Sequence, residues 1–132
     1  MTISAQAKFI RMAPRKTRLI VDLVRGRGVK DAEHQLLFSN KDAAKVVLKL
    51  LHSAMANAEH NHQLKTDDLV ITSAFVNEGP KIHRMTPKAH GRATPIRKRM
   101  SHITIVLGTP EEIAVTTKKQ SRPARVSKDV KN

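Results

Sequence analysis

The sequence feature that most constrains the fold is a cationic stretch, residues 79–102, which lies between two segments typical of β-strands. The stretch contains seven Lys or Arg side chains and three His, but no Asp or Glu. Its cationic residues are Lys81, Arg84, Lys88, Arg92, Arg97, Lys98 and Arg99. The flanking segments 69–76 and 103–107 are rich in β-branched residues, which favour strands. Since ordinary hairpin loops have about two to five residues, a connection of this length predicts a specialised element.

The simplest element of this kind is a long β-hairpin that folds back near Gly91. Each arm then has about eleven residues and reaches about 35 Å, at about 3.3 Å per residue. An isolated two-stranded ribbon is marginally stable in water, and like charges along it oppose its formation further. We therefore infer that a polyanion lies against the ribbon. The alternative is a basic loop without a defined shape, but Pro80, Pro87 and Pro95 restrict the backbone and argue against it.

The composition indicates the class of partner and excludes several kinds of site. The chain has 132 residues, a formal net charge of +14 and a pI near 10.9, which indicate a polyanionic partner. Its only aromatic residues are three Phe, so a base-stacking platform is not expected. It has no Cys, and no apolar run long enough to span a bilayer or form a signal peptide. We expect no membrane partner.

Outside the hairpin, hydrophobic periodicity predicts one strand and three helices. The strand is expected over 3–11, with Ala5, Ala7 and Phe9 on one side. The helices are expected over 15–25, 29–38 and 41–61. Pro14 marks the start of the first helix, and residues 39–42 resemble a capping box for the third. The residues expected to face the core from the three helices are Leu19, Ile20, Leu23, Val24, Ala32, Leu36, Leu37, Ala44, Val47, Leu48, Leu51, Ala54, Met55 and Ala58.

These elements predict an α+β fold, in which three helices pack on a small antiparallel three-stranded sheet with a long protruding basic hairpin. We expect residues 1–110 to form one domain that includes the hairpin 79–102. Residues 111–132 have few apolar side chains and six Lys or Arg, so we expect a flexible basic tail. Arg15, Lys16 and Arg18 crowd the first helical turn, where cations oppose the helix dipole. We interpret them as contacts for a partner.

The sequence contains no recognisable catalytic or metal-binding constellation. His60 and His62 lie two residues apart, which is poor spacing for a shared metal on one helix face. Asp67 and Asp68 are adjacent and would point to opposite faces of a strand. No nucleophile is paired with a plausible base. We predict no enzyme, no cofactor and no metal.

Three stretches together resemble the bacterial L twenty-two family of large-subunit ribosomal proteins. The first reads AKFIRMAPRKTRL over 7–19 and VDLVRG over 21–26, and the second reads SAMANAEHN over 53–61. The third begins with EGP at 78–80 and continues through GRA at 91–93, KR at 98–99 and SHIT at 101–104. The resemblance spans residues 5–107. It departs from the usual pattern at Ala13, where Ser is common, at His83, where Lys is common, and at His90, where Arg or Lys is common.

The resemblance implies a cytoplasmic, structural protein of the large ribosomal subunit that supports subunit assembly. Implied partners are large-subunit (23S) rRNA, neighbouring large-subunit proteins and the nascent polypeptide, with the macrolide site nearby. The hairpin is expected to thread into rRNA and line the polypeptide exit tunnel. The expected tunnel-lining tip consists of Ile82, His83, Arg84, Lys88, His90, Gly91 and Arg92. The expected rRNA-binding residues are Lys8, Arg11, Arg15, Lys16, Arg18, Lys81, Arg84, Lys88, Arg92, Arg97, Lys98 and Arg99.

Three other interpretations of the residues remain open at this point. A free architectural nucleic-acid binder would use the ribbon in a groove of DNA or RNA. A cationic membrane-surface protein needs an amphipathic basic helix, for which 41–61 partly qualifies. An RNA-cleaving enzyme would use His83 or His90.

Overall fold

The computed structural model describes residues 3–109, which form three helices and three strands. In chain order these are β1 Ile3–Ile10, α1 Pro14–Val24, α2 Val29–Leu37, α3 Asp42–His62, β2 Val70–Pro87 and β3 Ala93–Gly108. Short 3₁₀ turns occur at Thr66–Asp68 and Ala89–Gly91. The predicted tail 111–132 lies outside the described residues, as does the predicted domain end at residue 110.

The strands form one antiparallel sheet in the order β1-β3-β2. Strand β3 is central because it pairs with β1 from Ile3 opposite Leu107 and with β2 from Val70 opposite Gly108. The ladder between β2 and β3 continues outward until Pro87 pairs with Ala93. The predicted α+β fold is therefore confirmed, and β2 and β3 continue through the cationic stretch as one hairpin.

The hydrophobic core lies between the three helices and the inner part of the sheet. Helix α3 has the longest buried face, as its apolar repeat predicts. Its opposite side is exposed and carries Lys41, at the N-cap, with Lys45, Lys49 and His52. The core residues that are essentially inaccessible to solvent include Val21, Val24, Ala32, Ala44, Val47, Leu51, Ile71, Ile103, Ile105 and Leu107. The chain has no Cys, so this core holds together without disulfides.

Helices α1 and α2 bury only part of the face predicted for each, since Ile20, Val24, Ala32 and Leu36 are buried but three leucines are not. Leu19 and Leu37 are 59% and 58% exposed, and Leu23 is also exposed. Helix α1 buries Ile20 and Val24 as predicted, together with Thr17 and Val21. Thr17 satisfies its hydroxyl locally, since Oγ1 donates to the carbonyl oxygen of Ala13 at 3.3 Å. A polar residue can therefore occupy the core side while leucines face outward.

Two local predictions were also wrong. The capping box at 39–42 does not form: Lys41 is the N-cap of α3, and no side chain caps the helix. In β1, Phe9 does not share the inner face with Ala5 and Ala7, because its φ of 57° breaks the alternation and leaves it 59% exposed. The register of β1 against β3 shifts between Ala7 and Ile10, so Ile10 packs against the core instead.

Candidate nucleic-acid interface

The outer hairpin, residues 77–100, carries its charges on a surface that is open to solvent. None of these residues is buried, whereas Ser101 and Ile103 just beyond them are fully buried. From Lys81 to the tip the two arms remain in register, with Lys81 opposite Arg99, Ile82 opposite Lys98 and His83 opposite Arg97. The sequence therefore builds a regular ribbon whose stability comes from its own ladder rather than from a core.

The register divides the ribbon into two chemically different faces, because paired residues on an antiparallel ladder point to the same side. The cationic face carries Lys81, Arg99, His83 and Arg97. The mixed face carries Arg84 and Lys98, with Ile82 and Ile96 between them.

On the cationic face, Lys81 lies directly opposite Arg99, and like charges in directly opposed positions destabilise a ladder. Within the described residues, the only ion pair on the ribbon joins Lys81 Nζ to Glu78 Oε2, at a long 3.8 Å. The cationic face therefore offers a nearly uncompensated row of positive charge to an anion.

The hairpin reverses through residues 88–92, near Gly91 as predicted. The amide N–H of Lys88 donates to the carbonyl oxygen of Arg92 at 2.7 Å, which closes the turn. His90 and Gly91 both adopt left-handed backbone conformations, with φ of 59° and 65°. Of the predicted tip residues, Lys88, His90, Gly91 and Arg92 form this turn. Ile82, His83 and Arg84 lie further down one arm, with His83 on the opposite face from the other two.

A groove of about 500 Å³ lies at the base of the hairpin, between the β3 arm, which contributes residues of both faces, and the end of β1. Strand β1 ends where Ile10 pairs with Ser101, so the next residue, Arg11, emerges beside the ribbon. The lining residues are Arg11, Ala13, Ile82, Arg84, Arg97, Lys98, Arg99 and Met100. No acidic side chain lines the groove, so it combines five cations with an apolar floor. Such a groove suits a phosphate backbone with its sugars.

A second groove, of about 530 Å³, continues from the first on the other side of Arg11. Its cations are Lys16 at the start of α1 and Lys41 at the start of α3, and it contains one acid, Asp42. Arg15 and Lys8 are exposed nearby in sequence but line neither groove. Arg11 thus links the hairpin base to the helical side of the domain.

The whole arrangement lies within the region matched by a family model. The model for ribosomal protein L22p/L17e matches residues 5–108. This chain belongs to that family. The large ribosomal subunit proteins uL22 of Staphylococcus aureus strains JH9 and Newman are each 49% identical to it over 114 residues, which is 86% of this chain and 97% of the relative. The resemblance predicted from the sequence is confirmed.

All the predicted site residues, from Lys8 to Arg99, fall inside the region that matches the L22p/L17e model. Most of them lie on the two faces and the turn of the ribbon, and Arg11 and Lys16 adjoin its base. Arg18 differs, because its Nε and Nη2 both donate to the carbonyl oxygen of Val76, each at 3.3 Å. Its guanidinium therefore also holds α1 against the free edge of β2.

Sequence reasoning missed a second arginine that acts in the same way. Arg25 donates from Nε and Nη2 to the carbonyl oxygen of Ala74, at 3.0 and 2.7 Å, and pairs with Asp22 at 2.9 Å. Ala74 and Val76 are two residues apart on the outer edge of β2, so their carbonyls point the same way. The seven-residue spacing of the two arginines along α1 was the available signal, since it places them on one helix face.

The remaining candidate chemistry from the sequence is not assembled in the described part of the chain. Residues 3–109 contain no group of three or more His, Asp or Glu side chains with metal-binding geometry. Of the adjacent pair Asp67 and Asp68, Asp67 pairs with Lys30 at 2.7 Å. Among the described helices, none is long and apolar enough to cross a membrane.

Proposed function

We propose that this L22p/L17e family member is a structural component of the large ribosomal subunit that binds 23S rRNA through its hairpin and the adjoining grooves. The observation that carries the proposal is the groove at the hairpin base, where Arg11 and four ribbon cations meet without an acidic neighbour. Family membership supports rRNA as the polyanion, since the relatives of Staphylococcus aureus are large ribosomal subunit proteins. The chain acts in the cytoplasm, within the ribosome, alongside neighbouring large-subunit proteins.

The proposed mechanism is electrostatic and geometric rather than catalytic. Lys and Arg side chains on the ribbon neutralise phosphates where rRNA segments converge, and the displaced counterions contribute favourable entropy. The ribbon carries cations on both faces, so it can lie between two strands of rRNA. Because backbone contacts fix position without reading bases, one rigid ribbon holds those segments in a single arrangement and supports subunit assembly.

The proposal extends to the exit tunnel through the end of the hairpin. The turn residues Lys88, His90, Gly91 and Arg92, with the arm residues Ile82, His83 and Arg84, border the tunnel near the nascent polypeptide and the macrolide site. Family membership supports this part, together with the length of the ladder that separates the turn from the domain. The two His residues make this end less charged than the usual family pattern, which predicts weaker contacts there than at the hairpin base.

The first experiment is sedimentation of a native lysate through a high-salt sucrose cushion, with detection of this chain. We expect the protein to pellet with the large subunit, since many phosphate contacts hold it there. If it remains in the supernatant while intact subunits pellet, the integral ribosomal role is wrong, and a free nucleic-acid binder is favoured instead.

A second experiment tests the hairpin itself with a variant in which Arg97, Lys98 and Arg99 are replaced by Ala. The matched control replaces Lys45, Lys49 and Lys65 by Ala, which removes the same charge from exposed positions outside both grooves. The first variant should lower the slope of log K against log salt for rRNA binding by up to about 3, at about 0.9 per phosphate contact. Equal slopes for the two variants contradict binding through the hairpin.

A further inference from the structure

A cluster of three residues, Phe9, Gly79 and His102, lies at the point where the three-stranded sheet becomes a two-stranded ribbon. Beyond Ser101 and Ile10, strand β1 no longer accompanies β3. From there only the ladder between β2 and β3 continues to the tip. Whatever sets the backbone direction here also sets where the ribbon points.

Both outer strands break register at this point, on either side of β3. On β1, Lys8 and Phe9 share the place opposite His102, since Ala7 pairs with Ile103 and Ile10 with Ser101. On β2, Gly79 and Pro80 share the place opposite Met100, between the pairs of Glu78 with Ser101 and Lys81 with Arg99. Extra residues of this kind bend a strand and increase its twist. Two such irregularities, two residues apart on β3, define a joint.

The His102 side chain connects the two irregularities. Its Nδ1 accepts a hydrogen bond from the amide N–H of Phe9 at 3.0 Å. Nδ1 is thus the unprotonated nitrogen of the ring. The ring also packs edge-on against that of Phe9, with the centroids 4.8 Å apart and the planes at 90°. The hydrogen bond satisfies an N–H in a residue whose φ of 57° is unfavourable for a bulky side chain.

On the other side, the His102 ring lies against Gly79. A Cβ atom on Gly79 would lie 3.2 Å from Nε2 of His102 and 3.2 Å from both the carbonyl carbon and Cβ of Met100. These distances are shorter than ordinary van der Waals contact, and Met100 contributes backbone that cannot swing away. A residue with a Cβ at this position would therefore have to displace the His102 ring or the Met100 backbone by a few tenths of an ångström.

We infer that His102 is a positioning residue that sets the angle at which the hairpin leaves the domain, by joining the Phe9 irregularity on β1 to Gly79 on β2. The ribbon is then aimed before any partner binds, and Arg11 is held beside its base. The orientation belongs to the free protein. The effect of this orientation on binding rests on the proposed function: a ribbon whose direction is already fixed loses less conformational entropy when it contacts rRNA.

A small change in the angle at the joint displaces the tip by a measurable distance, because the hairpin is long. The tip at Ala89 is about ten residues from Gly79, so it is about 33 Å away at about 3.3 Å per residue. A change of about 10° at the joint moves the tip by about 6 Å over that length. Since the chain has no Cys, spin labels on Lys49→Cys and Ala89→Cys report the distance from α3 to the tip in the free protein, and both sites are exposed.

Three substitutions are compared in this doubly labelled protein. His102→Leu fills the space but removes the acceptor, so the distance distribution should shift or broaden, by up to about 6 Å for a change of about 10°. His102→Asn places an acceptor near the position of Nδ1 and should restore the parent distribution. Gly79→Ala should shift the distribution with His102 intact, and it decides the test if His102→Leu fails to fold, as judged by circular dichroism.

Parent-like distributions in both His102→Leu and Gly79→Ala overturn the inference, as does an equal shift in His102→Leu and His102→Asn. rRNA binding is measured separately on the same variants. If the parent protein binds no rRNA but the distances change as expected, the proposed function fails while the joint stands. If binding weakens with unchanged distances, the joint fails while the proposed function stands.

Discussion

The guanidinium group of Arg25 donates two hydrogen bonds to the carbonyl oxygen of Ala74, from Nε at 3.0 Å and from Nη2 at 2.7 Å. Ala74 lies on β2, whose outer edge has no neighbouring strand in the described sheet. One arginine thus satisfies an edge carbonyl and fastens the C-terminal end of α1 to the sheet. Arg18 repeats the arrangement at Val76, so α1 is attached at two successive outward carbonyls.

Replacing Arg25 by Gln should lower the free energy of unfolding by about 1 kcal/mol, a modest value because the side chain is half exposed and solvent screens it. The measurement is urea denaturation followed by circular dichroism. Arg27→Gln is the matched control, since Arg27 is an exposed cation two residues away with no side-chain hydrogen bond to the described residues. Equal losses in the two variants would show that the Ala74 contact contributes nothing.

A comparison of variants at Arg18 and Arg15 should distinguish a contribution to fold stability from a contribution to rRNA binding. Arg18→Gln removes the contact with Val76 and should lower the unfolding free energy, by about 1 kcal/mol or less at its 3.3 Å distances. Arg15→Gln removes an exposed cation and should leave stability within about 0.5 kcal/mol. Each variant is tested by denaturation and by rRNA-binding titration at several salt concentrations. A larger stability loss for Arg15→Gln would contradict the assignment of Arg18 as an anchor.

Arg99→Glu should have opposite effects on the free ribbon and on its binding. It converts the like-charge pair of Lys81 with Arg99 into an opposite-charge pair, which favours the ladder by about 0.2 to 1 kcal/mol. Backbone amides near Lys81 should then exchange more slowly with solvent in the free protein. Affinity for rRNA should fall, because a phosphate contact is replaced by repulsion. Arg99→Gln, which only removes the charge, should give intermediate values, and faster exchange in Arg99→Glu would refute the argument.

The turn at the tip depends on the left-handed backbone of Gly91, whose φ is 65°. A Cβ there would meet nothing within 4 Å, so the cost of Gly91→Ala is conformational alone, about 1 kcal/mol. We expect the Lys88 amide, which donates to Arg92, to lose protection in hydrogen exchange. Gly91→Asn should lose less, because Asn tolerates this conformation. Unchanged protection in Gly91→Ala would mean that the turn is not limited by this residue.

Much of the fold was predictable because it depends on local pattern. Pro14 begins α1 because its ring suits the first helical position. The apolar repeat of α3 predicted its buried face, and the two flanking strands with Gly91 between them predicted the hairpin and its reversal. The cationic ribbon was equally visible, since charge can be read without knowing which residues are neighbours in space.

The sequence by itself determined the helices, the long hairpin and its positive charge, because these follow from periodicity, turn residues and composition. Only the tertiary structure decided that Leu19 and Leu37 face outward, since a helix face is chosen by what packs against it. It also decided that Arg25 fastens α1 to β2, and that Arg11 meets the ribbon in one groove. Contacts of this kind join residues about 50 to 90 positions apart, and the physical reason they escape prediction is that loop closure and packing, rather than local preference, bring them together.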